Sequence, residues 1–230
     1  MMRDLMLLVL WLLPASRAKN RLLTMFGHRV SPAASARSNL VWRVRSFEMA
    51  PHARINRWNL IKGIRSVRLA PYATIGRNNI ISAHSSYSQL PGGAHLHLGE
   101  HSYVTSRHSI DCSGSLTLGA YAALAGFGSQ VLTHSIDLAR DAQTAYPVTI
   151  GERSFIGARC LLLGGARLPA RSVLAAGSVL TDAVRTQQGL WAGVPAKYKT
   201  TVEGRWFDRT VGETLDLYVP ESDHTIEAGI

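Results

Sequence analysis

The stretch IGERSF IGARCL LLGGAR LPARSV LAAGSV LTD, residues 150–182, puts an aliphatic residue at every sixth position: Ile150, Ile156, Leu162, Leu168, Leu174 and Leu180. Small or turn-forming residues follow most of them: Gly151, Gly157, Pro169, Ala175 and Thr181. A spacing of six fits neither the helical period of about 3.6 nor the strand period of about 2. It fits a short strand plus a turn, repeated, with one buried side chain per unit. Such a unit cannot bury its apolar residue alone, so the units must stack as coils.

The repeat continues upstream. FEMAPHARINRWNLIKGIRS (47–66) aligns without gaps on VRLAPYATIGRNNIISAHSS (67–86), pairing Met49 with Leu69, Ile55 with Ile75, Asn59 with Asn79 and Ile61 with Ile81. LHLGEHSYVTSRHSIDC (96–112) aligns likewise on LTLGAYAALAGFGSQVL (116–132). The offset of twenty is three hexads plus two residues. Residues 30–182 therefore read as a parallel β-helix with three short faces, its coils about 4.8 Å apart. Residues 83–94, with Pro91, Gly92 and Gly93, and residues 133–147 break the rhythm and read as loops leaving a corner.

Outside the coils stand two appendages, 1–29 and 183–230. The first holds a nine-residue apolar run, Leu5–Leu13, then Pro14 and the basic residues Arg17, Lys19 and Arg21. Nine residues are too few to span a bilayer, which takes about twenty. The segment reads as an amphipathic stretch lying on the inner face of a membrane. A cleaved signal peptide and a helix packed on a neighbouring subunit are the alternatives. Charge points the same way. Residues 1–68 hold 13 Lys/Arg against two acids, while residues 69–230 hold 12 against 13. A basic third of a chain suits an anionic surface. No recognition motif or aromatic platform accompanies the charge, so nucleic acid is not expected. Cys112 and Cys160, the only two cysteines, form no disulfide framework and read as buried side chains in a reducing compartment.

Three local signatures make the chain resemble the hexapeptide-repeat acyltransferases, in particular the galactoside, maltose and polysaccharide O-acetyltransferases. They are the hexads of 150–181, the segment VLTHSID (131–137) before a loop returning at PVTIG (147–151), and WAGVPAK (191–197) after the last coil. The resemblance implies an all-β chain, a left-handed parallel β-helix; general crossover rules alone give the opposite hand. It also implies a homotrimer with sites shared between subunits, acetyl-CoA as donor, and a carbohydrate acceptor of a bacterial surface polysaccharide. The expected location is cytoplasmic, at the inner membrane. An amino sugar nucleotide as N-acetyl acceptor, or a non-catalytic or metal-dependent β-helix, are the competing classes.

By the match, His134 takes the place of the family's catalytic histidine. A neutral imidazole can accept the alcohol proton. Its orienting partner is Asp137, Asp111 or a backbone carbonyl. The donor is expected along Phe155, Gly157, Ala158, Ala176, Gly177 and Thr181, with Lys197 and Lys199 at its phosphates. Asp182 stands where relatives commonly have lysine. His95, His97, His101 and His108 cluster in one coil. A zinc site wants three or four converging ligands, and no cysteine or glutamate completes a known spacing, so no metal is expected.

Overall fold

The computed structural model describes residues 2–182 and 186–227; residues 183–185 of the expected exit segment lie outside it. The chain folds as a left-handed parallel β-helix of seven coils. Each coil lays one short strand on each of three sheets. The first face holds 29–30, 46–49, 66–69, 95–98, 116–118, 148–150 and 167–168. The second runs from 35–36 to 173–174 and is extended by 190–192 and 197–200. The third runs from 40–42 to 179–180.

The hexads set this register. Ile150 pairs with Leu168, Ile156 with Leu174 and Leu162 with Leu180, one pair per face. All six point inward at 2% exposure or less, which makes them the core. The first twenty-residue repeat pairs as the sequence aligns it: Met49 with Leu69, Ile55 with Ile75 and Ile61 with Ile81. The second does so at Leu96 with Leu116 and Val104 with Leu124, but a bulge after Val104 then shifts it by one residue, so Ile110 pairs with Val131 where the gapless alignment gives Gln130.

The corners differ. At the second-to-third corner the same rung repeatedly adopts the left-handed backbone region, at Trp58, Asn78, Arg107, Gly128, Arg159 and Gly177. The third-to-first corner is the loose one. The extra two residues of the longer coils fall there, between Ile61 and Leu69 for example. Both long excursions leave there as well. The first, 84–94, contains a 3-10 turn at Ser85–Gln89. The second is an antiparallel hairpin of strands 134–137 and 142–145.

Inside the second-to-third corner runs a file of buried polar side chains. Asn39 Oδ1 accepts from the Asn59 amide nitrogen (2.8 Å) and Asn59 Oδ1 from that of Asn79 (2.9 Å). Asn79 Oδ1 accepts from His108 N (2.9 Å), and His108 Nδ1 from Ser129 N (3.2 Å). Each rung supplies the acceptor that the next coil's backbone needs at a turn.

The N-terminal segment forms two helices, α1 (Met2–Leu12) and α2 (Arg17–Met25). They close the first coil. Trp11 and Leu23 are fully buried, and Trp11 packs on Phe47 at 4.6 Å between ring centroids. Asn20 Nδ2 donates to the carbonyls of Ser31 and Ala34, both at 2.9 Å. Lys19, one of the basic residues that follow Pro14, is buried at 1% exposure. Its ammonium donates to the carbonyls of Trp11, Leu13 and Arg37 at 3.0, 2.7 and 3.1 Å. Among the described residues no helix is long and apolar enough to cross a membrane.

At the other end WAGVPAK turns over the last coil. Trp191 is 8% exposed and meets Tyr198 edge-on at 5.7 Å. Ala196 N donates to Val179 O (2.8 Å). The tail then folds back on the second face through a 3-10 turn at Arg205–Asp208. Phe207 is buried, and its carbonyl accepts from Arg153 at 2.7 Å.

Candidate active site

Asp111 ends a strand of the third face, and the next coil runs directly above it. Ile110 pairs with Val131, which brings Thr133 and His134 over the carboxylate. His134 opens the hairpin, paired with Ala145. Its Nδ1 lies 2.9 Å from Asp111 Oδ2. The same oxygen accepts from Thr133 N (3.0 Å), Thr133 Oγ1 (2.5 Å) and His134 N (3.2 Å). The other oxygen, Oδ1, accepts from Ser113 N (3.2 Å) and Ser113 Oγ (2.6 Å). Burial pushes the Asp111 carboxyl up. Hydrogen bonds from Ser113, Thr133 and His134 outweigh that and hold it below the usual carboxylate range. An ionised Asp111 keeps the proton on Nδ1, so Nε2 is the basic nitrogen of this imidazole.

His134 sits between two grooves. One, of about 550 Å³, runs from the hairpin at Ser135, Ile136, Asp137 and Thr144 over the coils past Thr133, Tyr146, Leu163, Gly164, Thr181 and Asp182. The other, of about 530 Å³, lies along the hairpin at Ser135, Ile136, Leu138 and Gln143. The 84–94 excursion leans on the same hairpin. The Tyr87 ring is 5.7 Å from that of His134, and its hydroxyl donates to Gln143 Oε1.

Of the two aspartates expected beside the histidine, the structure brings Asp111. The Asp137 expectation is corrected. Its Oδ1 accepts from Ala139 N (3.0 Å) and Arg140 N (3.1 Å), and its Oδ2 pairs with the Arg140 guanidinium. It closes the hairpin turn, the ordinary use of an aspartate at such a position.

The expected donor residues divide. Thr181 lines the groove at His134. Gly157, Ala158, Ala176 and Gly177 lie at the second-to-third corner, the far edge of the third face. Stacking alone accounts for Gly157, because a Cβ there would stand 2.7 Å from Ala176 N. Phe155 meets Trp206 of the tail edge-on at 5.6 Å, so its outward ring helps to seat the tail. Lys197 and Lys199 are exposed on the terminal strand 197–200, and neither lines the groove at His134.

The four clustered histidines do not converge. His95 Nδ1 is 2.6 Å from Ser66 Oγ. His97 points outward from the first face. His101 stacks between Tyr72 (4.6 Å) and Tyr121 (4.9 Å) at the first-to-second corner. His108 is buried at the opposite corner, its Nε2 2.9 Å from Thr105 Oγ1.

Sequence reasoning missed Thr133, Ser113 and Tyr87. The coil register was the available signal for the first two, since it stacks 109–111 under 130–132. Nothing local marks Tyr87, which reaches the site only because both excursions share one corner.

Compared with known proteins, the chain is similar to a hexapeptide transferase family protein from Anaplasma phagocytophilum, at 17% identity over 76% of this chain and 85% of that one (TM-score 0.46). It is similar to a maltose O-acetyltransferase from Clostridium difficile 630, at 18% identity over 62% and 71% (TM-score 0.46). It is also similar to a hexapeptide-repeat-containing acetyltransferase from Vibrio cholerae O1 biovar eltor, solved with acetyl coenzyme A, at 19% identity over 64% and 72% (TM-score 0.39). No curated protein matches the chain. Residues 147–182 match the family model described as the hexapeptide repeat of succinyl-transferase, so over its last two coils the chain carries that repeat by family as well as by its own spacing.

Proposed function

We propose that this protein is an O-acetyltransferase that moves an acetyl group from acetyl-CoA to a sugar hydroxyl of a bacterial surface polysaccharide or its precursor. The observation that carries the reading is the His134–Asp111 pair at 2.9 Å, set between two grooves at the corner of a hexapeptide β-helix. Two grooves meeting at one base suit a reaction that joins two substrates.

In this mechanism Nε2 of His134 takes the hydroxyl proton as the alcohol oxygen attacks the thioester carbonyl. A tetrahedral oxyanion forms and collapses, the C–S bond breaks, and the departing thiolate receives the proton from the imidazolium. Asp111 holds the tautomer and balances the transient positive charge. Transfer is direct. Cys112 and Cys160 suit no acyl-enzyme, because both are buried and burial pushes both thiols up.

The split between Thr181 and the amides at Gly157 and Gly177 has a reading of the same kind. A homotrimer, as the sequence resemblance implies, would set one copy's second-to-third corner against its neighbour's His134. The acceptor would enter along the hairpin, beside Tyr87 and Gln143. A cytoplasmic location belongs to the same proposal, because it gives the enzyme access to acetyl-CoA.

Calorimetric titration with acetyl-CoA, and with free CoA as control, tests the donor. Saturable binding near one per chain is expected. Transfer to a panel of sugars then compares the wild type with His134→Ala, whose kcat should fall by roughly 10²–10⁴ with donor affinity retained. No saturable donor binding, or a variant within about tenfold of the wild type, would overturn the reading.

A further inference from the structure

The two terminal helices leave a surface that the fold does not cover. Along α1 the buried residues are Leu7 and Trp11. The opposite side carries Met2, Leu5, Met6, Val9, Leu12 and Leu13, each between 42 and 75% exposed. Their spacing of three and four draws one continuous stripe along the helix. Helix α2 adds Leu22 and Met25, 37 and 80% exposed, with Arg17 and Arg21 exposed one position before Ala18 and Leu22. A contiguous apolar surface of this kind marks an interaction site.

Charge selects the partner. Residues 2–45 hold eight Lys/Arg and one acid, and α2 has no acidic residue at all. A second copy of the chain could cover the stripe, but it would press two basic ends together. A bilayer with anionic headgroups meets both demands, taking apolar side chains into the acyl boundary and arginines onto its phosphates.

We infer that α1 and α2 dock this protein on an anionic lipid bilayer, lying in the interface without crossing it. Because the helices close the first coil, the β-helix axis rises from the membrane. His134 leaves the fifth coil, which sets it about 20 Å above the docking helices by ordinary strand spacing. The inference does not depend on acetyl transfer.

Co-sedimentation of the full chain with phosphatidylcholine vesicles, with and without phosphatidylglycerol, tests it. Binding is expected to the anionic vesicles and to weaken with salt. Arg17→Glu with Arg21→Glu should weaken it roughly 30-fold or more, from about 1 kcal/mol per basic residue. Leu5→Glu with Val9→Glu should lose roughly tenfold or more on every vesicle. All four side chains are exposed, so circular dichroism should show the fold unchanged in both variants. No binding to anionic vesicles, or binding indifferent to both variants, would overturn the inference. So would self-association of the wild type without vesicle binding, abolished by Leu5→Glu with Val9→Glu, which would make the stripe a contact between copies.

Discussion

A single carboxylate organises the candidate site, because Asp111 accepts five hydrogen bonds from Ser113, Thr133 and His134 besides facing the imidazole. It has a structural and a chemical task at once, and a substitution should separate them. In Asp111→Asn an NH₂ replaces one acceptor oxygen and meets donors on Thr133 or Ser113. Stability should fall by about 1–3 kcal/mol. The amide also presents a donor to Nδ1, which moves the ring proton to Nε2 and removes the base. Turnover should fall by roughly 10²–10⁴. His134→Ala should lose activity without that loss of stability, since its side chain is 48% exposed. Urea unfolding beside transfer kinetics on both variants reads the difference. An Asp111→Asn enzyme with normal turnover would remove the aspartate from the mechanism. His134 was singled out through the family resemblance of VLTHSID and the loop that follows it. Its partner was not, because along the chain Asp137 is by far the nearer aspartate, and only the coil register brings the distant Asp111 under the ring.

At the level of elements, the faces were legible and the corners were not. Hexads announce which residues point inward, and every one of Ile150, Ile156, Leu162, Leu168, Leu174 and Leu180 does. Corners depend on what satisfies the turning backbone, and here the asparagine file does so. Asn59 and Asn79 appear in sequence only as a matched pair, with no sign that they bond one another. Asn59 uses its whole side chain. Oδ1 accepts from Asn79 N and Nδ2 (2.9 and 3.0 Å), and the two hydrogens of Nδ2 are shared among Asn39 Oδ1, Asn56 O and Gly76 O (2.9, 3.0 and 2.8 Å). Asn59→Ala would orphan buried groups in three coils. We expect a loss of about 2–4 kcal/mol by denaturant unfolding, with the slope unchanged. A loss under about 0.5 kcal/mol, the range of ordinary surface substitutions, would show that water replaces the side chain. The tail was the least legible element, because Trp206 and Phe207 dock on a face already complete without them. The burial of Lys19 was equally hidden, because the three carbonyls that take its ammonium come from two separate segments.

Across the whole molecule, the file of acceptors ties folding to acidity. Its fourth rung is a histidine. His108 accepts from Ser129 N, and burial lowers its pKa to about 4. His28, enclosed with Trp11 and Phe47 at the helical end, is lowered to about 4 by burial and by Arg3. His95 is lowered as well, by burial and then Arg65 and Arg68. These groups stay neutral when folded and take up protons when unfolded, so the unfolded state binds more protons between about pH 4 and 6.5. The histidines' contribution is therefore full above about 6.5 and is lost as pH drops toward 4. Each of the two fully shifted histidines contributes on the order of 3 kcal/mol to that fall. The carboxylates with lowered values, Asp111 among them, titrate below this window. One substitution isolates the file from the cap. His108→Asn restores the residue type of the three rungs before it. Its Oδ1 can take the hydrogen bond of Ser129 N, and the bond from the residue's own amide to Asn79 Oδ1 is untouched. The variant should match the wild type near pH 7 to within about 1 kcal/mol and lose about one proton of acid sensitivity. Unfolding measured from pH 4 to 7.5 checks both. An unchanged pH slope would mean that His108 is not the titrating rung, and a large loss at pH 7 would mean that this rung needs the imidazole to reach Thr105.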